Sequence, residues 1–284
     1  MEKMRVKEFI VKHQLALFAV VTLCIGWFWW AQMALGLWPM EYIIVPSSLG
    51  GISPILTLVI LQKLSARKVD LDGIVKTAKI GRIQVPRLIV AAFSLPLMIT
   101  LGNALSFLFG FESALNLLNP EPATLGWALL AIVPITFFPG LITSPLFEEP
   151  GWRGFALPKL QAKYGRELGS LLVGSYWWLW HQMSNIAFGL FPSTIGYVYM
   201  LGQSFSIDSM YNLSKRNLLV AMFAHQSLFI AFTYLYKTQN DLSAIIIAAL
   251  VWLFVLMLRF MESRRGYPDA LSGSIEVEST ANET

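Results

Sequence analysis

The sequence predicts an all-α, polytopic membrane bundle of about eight transmembrane helices, and three observations support this expectation. First, of 284 residues, 56% are hydrophobic and only 13% are charged, with a mean hydropathy of +0.59. A soluble domain of this length carries about 25% charged residues to solvate its surface, so lipid must be the solvent for much of this chain. Second, near-continuous apolar stretches long enough to cross a hydrocarbon core of about 30 Å recur along the sequence. Third, the basic residues cluster in alternate connections, as they do when loops on one side of a membrane retain positive charge.

The candidate spans, in order, are 14–37, 42–62, 88–111, 125–147 (running on towards 158), 168–190, 193–212, 218–237 and 241–260. The run from Leu15 to Trp38 is longer than a signal-peptide core and has no clear small-residue cleavage site, so it reads as a retained span. Residues 1–13 read as a cytoplasmic N-terminus and 14–260 as one membrane-embedded domain. Residues 261–284, rich in Ser, Glu and Thr, read as a cytoplasmic tail with too little apolar surface to fold. No internal repeat is legible. With a cytoplasmic N-terminus, eight spans put 20 of the 21 Lys and Arg on the cytoplasmic side and leave only Lys237 outside. A missed span would scatter them. The expected protein is therefore multi-pass, in the cell membrane, with both termini cytoplasmic. Its basic excess reports topology, and nucleic acid is not an expected partner. The single Cys24 excludes an intramolecular disulfide.

Ionisable residues inside such spans are expensive and mark function by default. Here they are Glu148, Glu149, Arg153, His181, Asp208 and His225. At about 1.5 Å of rise per residue, Glu148 lies roughly 16 Å from Lys159, His181 roughly 22 Å from Arg166 and His225 roughly 13 Å from Arg216. Three helices thus bring a carboxylate and two imidazoles to broadly one layer, read here as lying on the cytoplasmic side. Around the acids, Pro145 and Pro150 remove backbone donors and predict a loosened helix, of the kind tolerated where backbone lines a cavity. Glu149 and Arg153, spaced i,i+4, share a face and can pair. Glu148 points about 100° away, without that partner and free to accept a proton. Trp177 stands four residues before His181, either as packing or as a wall shaping a substrate. Asp208 reads as structural, orienting an imidazole or pairing with Arg153.

These residues resemble the type II CAAX prenyl endopeptidases, part of the wider CPBP group (CAAX proteases and bacteriocin-processing proteins) of intramembrane proteases. The segment EEPGWRGFALPKL resembles the family's Glu-Glu-x-x-x-Arg motif. WWLWH, ending at His181, resembles its aromatic-x-x-x-His motif, with Trp177 at the aromatic position. AMFAHQSLF, with His225, resembles its His-x-x-x-Asn motif. The resemblance covers about 125–240. Phe229 stands at the motif's Asn position, where it cannot donate a hydrogen bond. Asn185, Gln226 or Asn212 could supply an amide instead.

The resemblance implies an intramembrane endopeptidase acting on a membrane-associated peptide or protein. Glu148 and His181 would activate a water in a cytoplasm-facing cavity, and His225 would stabilise the oxyanion. Glu149 and Arg153 would hold the helix in shape. No cofactor is required, although Glu148, His181 and His225 are also acceptable zinc ligands. Two other classes fit the same residues. One is a catalytically silent CPBP-like scaffold or bacteriocin-immunity protein, which Phe229 favours. The other is an ion- or proton-coupled transporter. Substrate identity and oligomeric state are not legible.

Overall fold

The computed structural model describes residues 2–65, 68–82 and 84–265. It contains α1 (Glu2–Lys12), α2 (Gln14–Ala34), α3 (Ile44–Gly51), α4 (Ser53–Leu64), α5 (Leu71–Val75), α6 (Val85–Leu108) and α7 (Pro120–Ala123). These are followed by α8 (Leu129–Gly140), α9 (Ser144–Glu149), a π-helical segment Pro150–Ala156 and α10 (Leu157–Tyr164). The chain ends in α11 (Arg166–Ala187), α12 (Thr194–Leu213), α13 (Leu218–Tyr234) and α14 (Asp241–Arg265). The expected all-α membrane bundle is what the chain forms. The last helix runs through residues 261–265, assigned from sequence to the tail, and the rest of that tail lies outside the described residues.

All eight expected spans contain helix, but eight is not the number of membrane-length apolar helices. Among the described residues, α2, α6, α14 and the stretch Gly126–Tyr164 are long and apolar enough to cross, and α3 with α4, bent by 42°, makes at most a fifth. The shortfall has a physical reason. Helix α13 has 17 residues, roughly 26 Å of rise against a core of about 30 Å. Helix α12 carries Gln203, Ser204, Ser206, Asp208, Ser209 and Asn212, all buried. These polar groups face protein instead of lipid, and every residue from Leu201 to Asn212 is buried. Helix α12 is the axis of the bundle, packed against α11, α13 and α14.

The prolines do not break the helix at the acids. The chain turns at 141–143, where Thr143 adopts φ −106 and ψ −122. From Ser144 it then runs helically to Tyr164, absorbing Pro150 in the π-helical segment. Such segments are rare and concentrate at functional sites. Small residues allow close packing nearby. A Cβ on Gly169 would lie 2.6 Å from the Gln161 backbone nitrogen, so glycine sets the approach of α11 to α10.

Candidate active site

The site is assembled by a four-residue repeat on two helices, since side chains at i and i+4 stack on one helical face. On the first, Ser144, Glu148 and Trp152 form one row and Glu149 and Arg153 the next. On α11, Trp177 and His181 form a third. Helix α13 adds His225 and Gln226, and α12 adds Asp208 and Ser204.

Glu148, 3% exposed, does not share Arg153, as its position in sequence implied, but it has neutral donors of its own. Its Oε1 accepts from the Ser144 hydroxyl at 2.6 Å. Its Oε2 accepts from the indoles of Trp177 at 2.9 Å and Trp152 at 3.3 Å. Both oxygens therefore have fixed directions. Glu149 is fully buried, and its Oε1 accepts from Arg153 Nη1 at 3.0 Å and from His225 Nδ1 at 2.6 Å. It thus orients an imidazole as well as holding the helix. Arg153, also fully buried, donates from Nε to Asp208 Oδ1 at 3.0 Å and from Nη2 to Ser204 Oγ at 2.9 Å. Its guanidinium lies 5.1 Å from the centre of the Trp177 ring. Arg153 is therefore an internal cation and not one of the cytoplasmic loop charges among which it was counted.

The imidazoles are fixed from behind. His181 Nδ1 donates to the Trp177 carbonyl at 2.8 Å, which leaves Nε2 with the free lone pair. Its ring stands edge-on to Trp177 and Trp180 and stacks with Trp30 at 6.4 Å. His225 Nε2 lies 3.2 Å from Ser144 Oγ. The Ser144 hydroxyl has one proton. Donated to Glu148, it leaves His225 Nε2 as the donor of that contact.

Glu148, His181 and His225 all line one cavity of about 750 Å³, with Ser144, Trp177 and Asn185. Gln226 also lines it, and among the described residues its Nε2 is buried without an acceptor. Asn212 is buried but is not among the lining residues, and Phe229 reaches the rim at 56% exposure. The cavity is not in the half of the bundle expected. Its walls come from Ile44 to Ile52, from α11 beyond Trp177, from the first turns of α12 and from the second half of α13. These belong to the end away from the Lys- and Arg-rich connections.

The residues do not support a zinc site. Among the described residues, no group of three or more His, Cys, Asp or Glu is arranged to hold a metal ion. His225 has both ring nitrogens engaged, with Glu149 and with Ser144, so it has no lone pair to offer a metal.

Sequence reasoning overlooked Ser144, Trp152 and Ser204. The signal for the first two was present. They flank Glu148 at four residues on either side, by the rule that paired Glu149 with Arg153. Ser204 carries no such local signal.

The fold and this cluster define a multi-pass membrane protein with an acid–imidazole centre closed inside its helices. Residues 125–255, which hold every residue of the cluster, match the family described as type II CAAX prenyl endopeptidase Rce1-like. That match agrees with the resemblance that the three motifs carried. A stretch of 128 residues is 28% identical to CAAX prenyl protease 2 of Methanococcus maripaludis, covering 45% of this chain and 45% of that protein. The chain thus spans less than half the length of this curated relative, and α1 to α7 lie outside the matched domain.

Proposed function

We propose that this protein is an intramembrane endopeptidase in which Glu148, assisted by His181, activates a water for attack on a peptide carbonyl. The observation that carries the reading is the convergence of Glu148, His181 and His225, from three separate helices, on one cavity. Water gives its proton to Glu148 as its oxygen bonds to the carbonyl carbon. The carbonyl oxygen takes up the negative charge, the C–N bond breaks, and the proton passes from Glu148 to the leaving nitrogen. His181, with Nε2 unblocked, holds the water. His225 donates to the oxyanion, with Glu149 fixing its other nitrogen. Preorganised donors of this kind are worth about 2.7–4 kcal/mol each in a dry site. Gln226 supplies the second donor that Phe229 cannot. Gln226 lines the same cavity as His225, and its buried Nε2 has no acceptor among the described residues.

The substrate is a membrane-associated peptide or protein, and the protein is held in the cell membrane with both termini cytoplasmic. The scheme is metal-free, so exhaustive chelation leaves cleavage unchanged. Purified Glu148→Gln and His181→Ala, reconstituted in liposomes, lose peptide cleavage while unfolding at the wild-type temperature. Wild-type turnover by either variant overturns the assignment. Phe229 favours one rival, a silent scaffold, and full biological effect from Glu148→Gln would establish that rival.

A further inference from the structure

Hydrogen bonds identify the two ends of the bundle. At one end Asn217 donates to the Lys79 carbonyl at 2.8 Å and Arg259 donates to Ser170 Oγ at 2.8 Å. At the other, Asn119 donates to the Thr233 carbonyl at 3.2 Å and Asn240 to the Phe111 carbonyl at 2.9 Å. The charges divide between these ends very unequally. Of the 21 Lys and Arg, 19 lie in segments that lead into or out of the first end, Arg153 is buried between, and only Lys237 belongs to the second. Short connections retain Lys and Arg on the cytoplasmic side, so the first end is cytoplasmic.

The reaction cavity communicates with the second end. Its rim includes Ile44, Ser48, Leu190, Phe229 and Phe232. Ile44, Leu190, Phe229 and Phe232 are 67%, 62%, 56% and 43% exposed. Towards the basic end the chain closes beneath the site. Trp152, Arg153, Phe155 and Ile207 are 1%, 0%, 2% and 0% exposed, and they occupy the positions between the cavity walls and the cytoplasmic turns. A path for water or peptide from the cytoplasm would have to cross this layer.

We propose that the cavity is entered from the extracytoplasmic side, and that its substrate is the extracytoplasmic juxtamembrane stretch of a membrane-anchored polypeptide. The identity of the substrate rests on the hydrolase reading; the direction of entry does not. The apolar rim admits a segment still partly in lipid, and Glu148 meets the scissile bond in the outer half of the bilayer.

The test is sided labelling of the full chain in intact cells. Cys24 is first replaced by serine, and single cysteines are then placed at the rim (Ser48→Cys), in the far loop (Gln239→Cys) and at the basic end (Lys163→Cys). With a membrane-impermeant charged maleimide, Ser48→Cys and Gln239→Cys are labelled before permeabilisation, and Lys163→Cys only afterwards. Labelling of Ser48→Cys only after permeabilisation, or under neither condition, overturns the proposal. So does labelling of Lys163→Cys in intact cells, which would invert the bundle. Labelling does not depend on turnover, so an inactive protein that labels as stated would remove the hydrolase reading and leave the direction of entry standing.

Discussion

Replacing Arg153 with methionine keeps an unbranched stem and removes the charge from a place water does not reach. Arg153, Glu149 and Asp208 are each fully buried, and the guanidinium lies 3.0 Å from both carboxylates. The variant leaves two carboxylates without their cation and Ser204 Oγ without its 2.9 Å donor. Taking one partner out of a buried pair costs about 3–5 kcal/mol. The two lost charge-assisted hydrogen bonds to carboxylates, at about 1.5–3 kcal/mol each, give an overlapping range of about 3–6 kcal/mol by an independent route. Since whole folds are stable by about 5–15 kcal/mol, the variant should unfold at much lower denaturant. Tryptophan fluorescence during titration of mixed micelles with a denaturing detergent measures this. Asp208→Asn alone is also destabilising, but the double variant Arg153→Met/Asp208→Asn loses less than the sum of the two singles, because they share one interaction. A loss below about 1 kcal/mol for Arg153→Met would refute the claim that this cation anchors the cluster.

Other expectations follow from single contacts. Ser144→Ala removes the 2.6 Å donor to Glu148 and should lower turnover by about ten- to a hundredfold, the equivalent of one charge-assisted hydrogen bond, with little change in unfolding; unchanged turnover would show that Ser144 only fills space. Gln226→Leu, close in volume, removes the proposed second oxyanion donor. It should reduce kcat by about a hundredfold or more and leave KM near its starting value, and a pure rise in KM would assign Gln226 to binding. Gly169→Ala places a Cβ 2.6 Å from the Gln161 backbone nitrogen, so the contact between α10 and α11 must shift, at about 1–3 kcal/mol; a thermal scan matching wild type would argue against that close approach.

The helices were legible because apolar run length is a strong signal, and each expected span does contain helix. Their membrane character was less so. Helix α12 reads as a span in sequence, but its Gln, Ser, Asp and Asn side chains are enclosed by protein, a tertiary property that no local window contains. Glu148, His181 and His225 stood out because ionisable groups are scarce in apolar stretches. Their partners did not, except where the helical repeat was applied, and it was applied to Glu149 with Arg153 and to Trp177 with His181 but not to Glu148. The position of the cavity was misread because distances were taken from one set of basic anchors. Only the packing of α3, the end of α11 and the start of α12 shows which end stays open and which is sealed by Trp152 and Phe155.

The central claim is that the carboxylate of Glu148 removes a proton from the attacking water. Comparing, by mass spectrometry, the membrane peptides of cells carrying the wild-type chain with those carrying Glu148→Gln tests it most directly, because the amide is isosteric and cannot act as a base. The account predicts a cleaved fragment that disappears with the amide while its intact precursor accumulates. Identical peptide profiles, with both proteins present in equal amounts, would contradict it.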